Sequence, residues 1–267
     1  MPQIRVGVGG WTYEPWRDNF YPAKWPHARE LEYASRKLSV IEINSTYHGT
    51  QKRASFAKWR ADTPEGFLFS VKASRYATNR GRLAESGESI ERFVNSGIGE
   101  LGPKLGPLLW QFMPTKRFDA DDFEAFLDLL PRTVEGIALR HAMEVRHPSF
   151  VSAEFVTLLR DAGVALVVAD TAKRFPFLDD VTADFVYVRL HGDEELYTSG
   201  YDDDALDRWA ARVREWRAGK APATEHTVTG RGPTRRGGRD VYVYFDNDVK
   251  VRAPYDAIGL AERVGGR

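Results

Sequence analysis

A charged residue interrupts an apolar run at residues 40–50, VIEINSTYHGT. The first half of this run is rich in β-branched residues and therefore predicts a strand. Because side chains alternate along a strand, Glu42 and Asn44 share one of its faces. An ionised carboxylate that is buried without a partner is costly or shifts its pKa. Lys72, at the end of the next strand-like run, is the partner that we expect for Glu42.

Two roles for Glu42 stay open from the sequence. It is either half of an internal ion pair with Lys72 or a general base in a reaction. Because burying an ion pair often costs more free energy than it returns, a purely structural pair is the weaker explanation. Lys72 has a further role open to it, since neighbouring cations can lower the pKa of a lysine enough to make it a Schiff-base nucleophile.

Polar residues recur at the ends of most strand-like runs in the chain. Alternation puts Glu144 and Arg146 on one face, and Arg189 and His191 on another. Asp170 is equally well explained as the cap of a loop, and His147, which precedes a proline, as a residue that orients a turn. The predicted catalytic residues are Glu42, Lys72, Glu144, Asp170 and His191. The predicted substrate-binding residues are Trp11, Asn44, Tyr47, Gln111, Arg146, His147, Arg189, Asn247 and Asp248.

These residue types suit general acid–base chemistry on a negatively charged substrate. Arginine and lysine bind phosphate and carboxylate groups, and His191 is the best candidate for proton transfer near neutral pH. The carboxylates and His191 are also able to ligate a divalent metal. The accompanying cations Lys72, Arg146 and Arg189 argue against that. We therefore expect no metal or cofactor, with a bound divalent metal as the alternative.

Eight short strand-like runs alternate with segments of helical spacing. The runs cover residues 4–8, 40–44, 68–72, 108–112, 142–145, 165–170, 185–190 and 241–245. Strands that alternate with helices indicate parallel βα units, and eight units in 267 residues predict a single-domain TIM (β/α)8 barrel. A doubly wound sheet is the alternative, but no G-x-G-x-x-G follows the first strand. A barrel would gather the predicted site residues at the carboxyl ends of its strands.

The segment 219–239 breaks this alternation. It is rich in Gly, Pro, Thr and Arg, and Val228 is its one large aliphatic residue. This composition predicts a flexible, solvated insertion before the last strand. Because the segment connects a helix to the next strand, a barrel would place it on the amino-terminal face, opposite the predicted site.

The composition limits the class of protein. The chain has 38 basic and 38 acidic residues, so no overall field draws it to nucleic acid or to a membrane. It has no cysteine, which excludes disulfides, thiol catalysis and thiolate metal sites. No apolar run approaches the roughly 18 residues that span a bilayer, and the first residues hold no signal-peptide core. These features predict a soluble cytoplasmic protein.

Eight blocks of sequence, in order, resemble the DUF72 or YecE-like family. They are RVGVGGWTYEPWRDNFYP, EINSTYHGT, FLFSVKASRY, EVRHPSF, VVADT, FVYVRLHG, LYTSGYDDDAL and VYVYFDND. The resemblance extends over nearly the whole chain. It implies a TIM barrel similar in shape to the xylose-isomerase and endonuclease IV barrels, and it implies no established activity.

Three functions stay open from the sequence. The preferred one is an enzyme that acts on a small anionic or sugar-like substrate, with Glu42 or Glu144 as the general base. Lys72, Arg146 and Arg189 would hold the negative charge of that substrate. The second is nucleic-acid binding or processing, by analogy with the endonuclease IV type barrels and from the aromatic and arginine-rich loops after the first and third strands. The third is a non-catalytic ligand sensor. The sequence predicts no particular oligomeric state.

Overall fold

A closed barrel of eight parallel strands forms the centre of the protein. The computed structural model describes residues 1–192, 199–247 and 251–265. Their strands are β1 (Ile4–Gly9), β2 (Val40–Ile43), β3 (Leu68–Lys72), β4 (Leu105–Gln111), β5 (Thr133–Val134), β6 (Ile137–Ala138), β7 (His141–Glu144), β8 (Ala165–Asp170), β9 (Phe185–Leu190) and β10 (Asp240–Phe245). All but β5 and β6, a separate antiparallel pair, belong to the barrel, and β1 closes it by pairing with β10. The predicted single-domain TIM barrel is confirmed.

Helices cover the outside of the barrel. They are α1 (Glu30–Lys37), α2 (Arg53–Asp62), α3 (Arg75–Thr78), α4 (Gly87–Val94), α5 (Ala120–Asp128), α6 (Ala153–Ala162), α7 (Asp203–Arg217) and α8 (Ala253–Arg263). The sequence favours α7 strongly, because the Asp202 side chain caps it by accepting a hydrogen bond from the Ala205 amide at 2.7 Å. Arg214 and Arg217 in its last turn complement the helix dipole. In the described residues, no helix is both long and apolar enough to cross a bilayer.

Alternation along the strands divides the buried side chains between two layers. Outward-facing residues such as Ile41, Ile43 and Val71 pack against the helices. Inward-facing residues fill the barrel, and they include Val40, Leu109, Ala142, Val167, Tyr187 and Tyr244. The rings of Tyr187 and Tyr244 stack at 4.7 Å between centroids. Continuing the inward face toward the carboxyl ends of the strands leads from these apolar and tyrosine layers to the charged residues of the candidate site.

The segment 219–239, expected to be a flexible insertion, is anchored to the body of the protein. The connection 171–184 between β8 and β9 contains no α-helix, and part of the segment packs against it. Asp180 accepts hydrogen bonds from the backbone amides of Val228 at 2.7 Å and Thr229 at 3.0 Å, and Asp179 accepts one from the Thr224 hydroxyl at 2.9 Å. Both aspartates are buried. Composition did not predict this anchoring, because the aspartates lie about 45 residues earlier in the chain.

Candidate active site

One buried guanidinium organises the carboxyl ends of the barrel strands. Arg189 of β9 is 1% exposed, and each of its five N–H donors has an acceptor. Nε and Nη2 donate to Glu42 at 3.1 and 2.8 Å, and Nη2 also donates to Asp246 at 2.7 Å. Nη1 donates to Glu144 at 2.7 Å and to Nε2 of His191 at 3.2 Å. Three carboxylates and a histidine therefore converge on a single cation.

Glu42 pairs with Arg189 and not with Lys72, so the prediction of Lys72 as its partner is wrong. Both carboxylate oxygens of Glu42 contact Arg189, and Oε2 also accepts a hydrogen bond from the Tyr187 hydroxyl at 2.6 Å. Lys72 is adjacent along the sheet, but Arg189 reaches Glu42 across the barrel interior. The closure of the barrel decides the pairing, and the order of strands in the sequence does not reveal it.

Glu144 of β7 is held as an ionised carboxylate by two arginines. Its Oε1 accepts from the Gln111 amide and from Nε of Arg146, each at 2.8 Å, while Oε2 accepts from Arg189. Burial opposes ionisation of this group, but Arg146 and Arg189 outweigh it and keep the pKa of Glu144 well below its usual value. The predicted residues Gln111, Glu144, Arg146 and Arg189 thus belong to one hydrogen-bonded network.

His191 is held in one tautomer by its neighbours. Because an arginine N–H can only donate, Nε2 of His191 must accept the bond from Arg189 and carries no proton. The proton of the neutral ring is then on Nδ1, which lies 3.2 Å from Oδ2 of Asp246. Burial opposes ionisation of Asp246, yet Arg189 and His191 outweigh it and lower the pKa of that carboxyl. The Nδ1 atom of His191 therefore faces the carboxylate of Asp246.

Asp246 is the site residue that the sequence predictions missed. Those predictions took Asn247 and Asp248 from the end of the last strand and passed over the residue before them. Alternation was the available signal, because Tyr242 and Tyr244 face the barrel interior and residue 246 continues their face. The carboxylate crowds the space above Gly9, where a Cβ atom would lie 2.4 Å from Oδ1 of Asp246. Glycine at position 9 makes room for the charged cluster.

Lys72 occupies a different position from the other charged residues of the cluster. It is partly buried at the end of β3, and its Nζ lies 4.6 Å from the ring centroid of Tyr47. Among the described residues, Nζ makes no hydrogen bond or ion pair. Burial, with the positive charge of Arg189, lowers the pKa of Lys72 to about 8, although the three cluster carboxylates act in the opposite direction. Lys72 is therefore a cation with donors available to a ligand.

Asn44 directly follows β2, the strand that pairs with the strand of Lys72. Its side chain also lies over Gly9, with Nδ2 3.0 Å from the position that a Cβ there would take. Its Oδ1 atom is buried and has no hydrogen-bond partner in the described part of the chain. A buried carbonyl oxygen of this kind is costly unless something donates to it. Asn44 therefore offers a hydrogen-bond acceptor to a ligand at the ends of the strands.

Two of the predicted binding residues, Trp11 and His147, make contacts that support the fold. The Trp11 ring packs edge-on against Trp59 at 5.3 Å and near Phe69 at 6.4 Å, in the layer outside the strands. The ring of His147 caps the turn Pro148–Phe150, since its Nδ1 accepts from the Ser149 amide at 3.1 Å. The sequence had left open this turn-orienting role for His147.

Asp170 and Asn247 make hydrogen bonds to segments that follow other strands. Asp170 accepts from the Tyr201 hydroxyl at 3.1 Å and from the Ala172 amide at 3.3 Å. Asn247 is fully buried, and its amide donates to Asp256 at 2.8 Å and to the Ser199 carbonyl at 2.9 Å. Asp248 lies outside the described residues.

The cation at the centre of the cluster is a protein side chain. Glu42, Glu144, Asp246 and His191 are ligand types that a divalent metal accepts, but the guanidinium lies between them. In residues 1–192, 199–247 and 251–265, no three or more such groups are arranged to hold a metal ion. The groups that this site offers to a ligand are the ammonium of Lys72, the amide oxygen of Asn44 and the carboxylate of Asp246.

The chain is similar in sequence and in fold to several known proteins. Over 116 residues the chain is 29% identical to the UPF0759 protein YunF of Bacillus subtilis, a match that covers 42% of this chain and 40% of that protein. A DUF72 family protein from Thermotoga maritima has a TM-score of 0.79 at 24% identity, over 98% of this chain and 99% of that one. Another from Enterococcus faecalis has a TM-score of 0.77 at 18% identity, over 99% and 96% of the two chains.

At these identities the structural matches establish the fold alone. The sequence model of one family adds to them, because it matches residues 5–267, a range that contains every site residue described above. The chain belongs to that family, which is described as "Protein of unknown function DUF72".

Proposed function

We propose that this protein is an enzyme that acts on a small anionic or sugar-like substrate at the mouth of the barrel, with Lys72 as the proton-transferring group. The proposal rests on the surroundings and the pKa of the Lys72 ammonium group. Its ammonium lacks a counter-ion among the described residues, and its pKa is lowered to about 8. A group that titrates near neutral pH can both accept and release a proton in a catalytic cycle.

Glu42 and Glu144 are poor candidates for the general base that the sequence suggested. Both oxygens of each carboxylate accept hydrogen bonds, from Arg189 in each case and also from Tyr187 or Gln111. A low pKa, as at Glu144, makes a carboxylate a weak base. Arg189 is also unsuited to holding a substrate anion, because all of its donors are engaged. We assign these three residues to the support of Lys72, Asp246 and His191.

Proton transfer to carbon is the step to measure. The purified protein is incubated in D2O with a panel of small sugars, sugar phosphates and hydroxy or keto acids, and deuterium incorporation is followed by NMR. We expect incorporation that falls at least 100-fold in Lys72→Met and is unchanged in Lys58→Met, an exposed lysine paired with Asp62. A panel that shows no exchange, or exchange that Lys72→Met retains, would contradict the proposal.

Nucleic-acid binding is a second candidate, favoured by one surface feature. Tyr76 is 60% exposed beside the barrel mouth, and the Arg75 guanidinium lies 5.5 Å from its ring centroid. An exposed aromatic ring with an arginine beside it is suited to stacking with an unpaired base. The test is fluorescence anisotropy with single-stranded DNA and RNA at low and high salt. Binding that weakens steeply with salt and is lost in Tyr76→Ala supports this candidate, and no binding at low salt excludes it.

A further inference from the structure

We infer that Lys72 forms a covalent imine with a small aldehyde or ketone of the open-chain sugar type, held at the mouth of the barrel. This inference rests on the proposed function and names its substrate class. The observations behind it are the direction of Lys72, the absence of a partner for its Nζ among the described residues and the polar groups around it.

Lys72 has the position that a nucleophilic amine requires. It is the last residue of β3, on the inward face that also carries Ser70. Its backbone carbonyl is held by the Thr46 hydroxyl at 2.6 Å, which fixes the strand end. Its Nζ lies over the face of Tyr47 and contacts no carboxylate of the described residues. The amine is thus positioned by its backbone, and no described residue engages its nitrogen.

The charged groups that face Lys72 come from four strand ends. They are Arg189 from β9, Glu42 from β2, Glu144 from β7 and Asp246 after β10. The carboxylates are already paired with Arg189 or Arg146, which limits how far they favour the ammonium form. With a pKa of about 8, about a tenth of the lysine is the neutral amine at pH 7. An exposed lysine holds a far smaller neutral fraction at that pH.

The surroundings suit a polyhydroxylated carbonyl compound. The Oδ1 of Asn44, which accepts no hydrogen bond from the described residues, is an acceptor for a substrate hydroxyl. The Asp246 side chain is 15% exposed at the rim of the cluster. The ring face of Tyr47 is a surface for the C–H groups of a sugar chain. These contacts select a hydroxylated ligand over a purely apolar carbonyl compound.

The reaction balances without a further reagent. The lone pair of neutral Nζ attacks the carbonyl carbon, a C–N bond forms and the carbonyl oxygen becomes a hydroxyl group. That oxygen then leaves as water with the two hydrogens that the amine carried, and a C=N bond replaces C=O. The imine withdraws electrons from the neighbouring carbon and makes its proton easier to remove. Covalent capture and the proton transfer proposed above are therefore steps of one reaction.

Reductive trapping tests the inference. The full-length protein is incubated with glycolaldehyde, glyceraldehyde or dihydroxyacetone and sodium cyanoborohydride, which delivers hydride to an imine carbon, and the modified lysines are mapped by peptide mass spectrometry. At pH 7 we expect Lys72 to be modified at least ten times faster than the exposed Lys58, with saturation as the probe concentration rises. Lys72→Arg should retain the positive charge and lose the modification.

Each outcome separates the two proposals. Modification of Lys72 no faster than that of Lys58 overturns the imine. Deuterium exchange that depends on Lys72 but is accompanied by no trapped adduct also overturns the imine and leaves the proposed proton transfer standing. Selective trapping without exchange anywhere in the panel supports the imine and contradicts the proposed enzyme. A circular dichroism spectrum of Lys72→Arg that matches the wild type shows that the loss of adduct does not come from unfolding.

Discussion

Glu42 and Arg189 form a two-point ion pair across the interior of the barrel, with Nη2 2.8 Å from Oε1 and Nε 3.1 Å from Oε2. Neither side chain is more than 1% exposed. Buried ions of this kind are stable only as a complete set, because the loss of one partner leaves an uncompensated charge. Arg189 serves three carboxylates at once, so the whole cluster depends on it.

Removing this cation should destabilise the protein strongly. Arg189→Met leaves Glu42, Glu144 and Asp246 without their common partner, and we expect the free energy of unfolding to fall by about 3–5 kcal/mol or more. Arg29→Met, which breaks an exposed pair with Glu32, is the control and should cost less than about 1 kcal/mol. Urea denaturation measures both. Equal and small losses in the two variants would contradict the central role of Arg189.

Lys72 should behave in the opposite way. Its ammonium is partly buried without a counter-ion in the described residues, so the fold does not depend on it. We expect Lys72→Met to leave the free energy of unfolding unchanged or to raise it by up to about 1 kcal/mol, as substitutions at functional sites often do. Urea denaturation near pH 7 tests this. A loss comparable to that of Arg189→Met would show that Lys72 is structural.

The pH dependence of stability offers a second measurement on Lys72. Its pKa is lowered in the folded protein, to about 8 from a usual value of 10.5, so the unfolded chain binds more protons between these two values. The stability of the wild type relative to Lys72→Met should therefore rise as the pH increases from about 8 to about 10.5. Urea denaturation of both proteins across this range measures the difference. A difference that is flat or falls with pH is the contrary result.

His141 should make the protein sensitive to mild acid. Its Nδ1 accepts from the Trp110 indole at 3.1 Å and its Nε2 lies 2.9 Å from the Pro131 carbonyl, so the ring is neutral with its proton on Nε2. Burial lowers the pKa of His141. As the pH falls below about 6.5, the unfolded chain is protonated first and the stability from the neutral ring is lost. Thermal unfolding of the wild type and His141→Gln from pH 8 to 5 should show a steeper loss in the wild type, and parallel curves would argue against this.

The anchoring of segment 219–239 depends on Asp180. Asp180→Ala removes the acceptor of two backbone amides, and we expect a loss of about 2 kcal/mol. Trypsin should then cut the segment at its arginines several times faster than in the wild type. Asp161→Ala, a change at an exposed carboxylate, is the matched control. Cleavage at the wild-type rate in Asp180→Ala would mean that these hydrogen bonds do not hold the segment.

The sequence by itself determined the barrel and most of the polar ring at its mouth. Strand runs such as Phe185–Leu190 were visible because β-branched and aromatic residues favour strands. Alternation then assigned Glu42, Glu144, Arg189 and His191 to inward faces, since the period of a strand is local. The same rule would have found Asp246, had it been extended one residue past Phe245.

Only the tertiary structure decided which charges meet. Glu42 and Lys72 are on adjacent strands, yet the partner of Glu42 is Arg189, 147 residues away in sequence. Pairing across a closed barrel depends on side-chain reach and strand stagger, and neither is encoded in local propensity. The same holds for Thr224 and Asp179, whose contact turns a loop-like composition into an ordered segment. Within the described part of the chain the Lys72 amine has no ion-pair partner, because Arg189 engages the carboxylates that would otherwise pair with it.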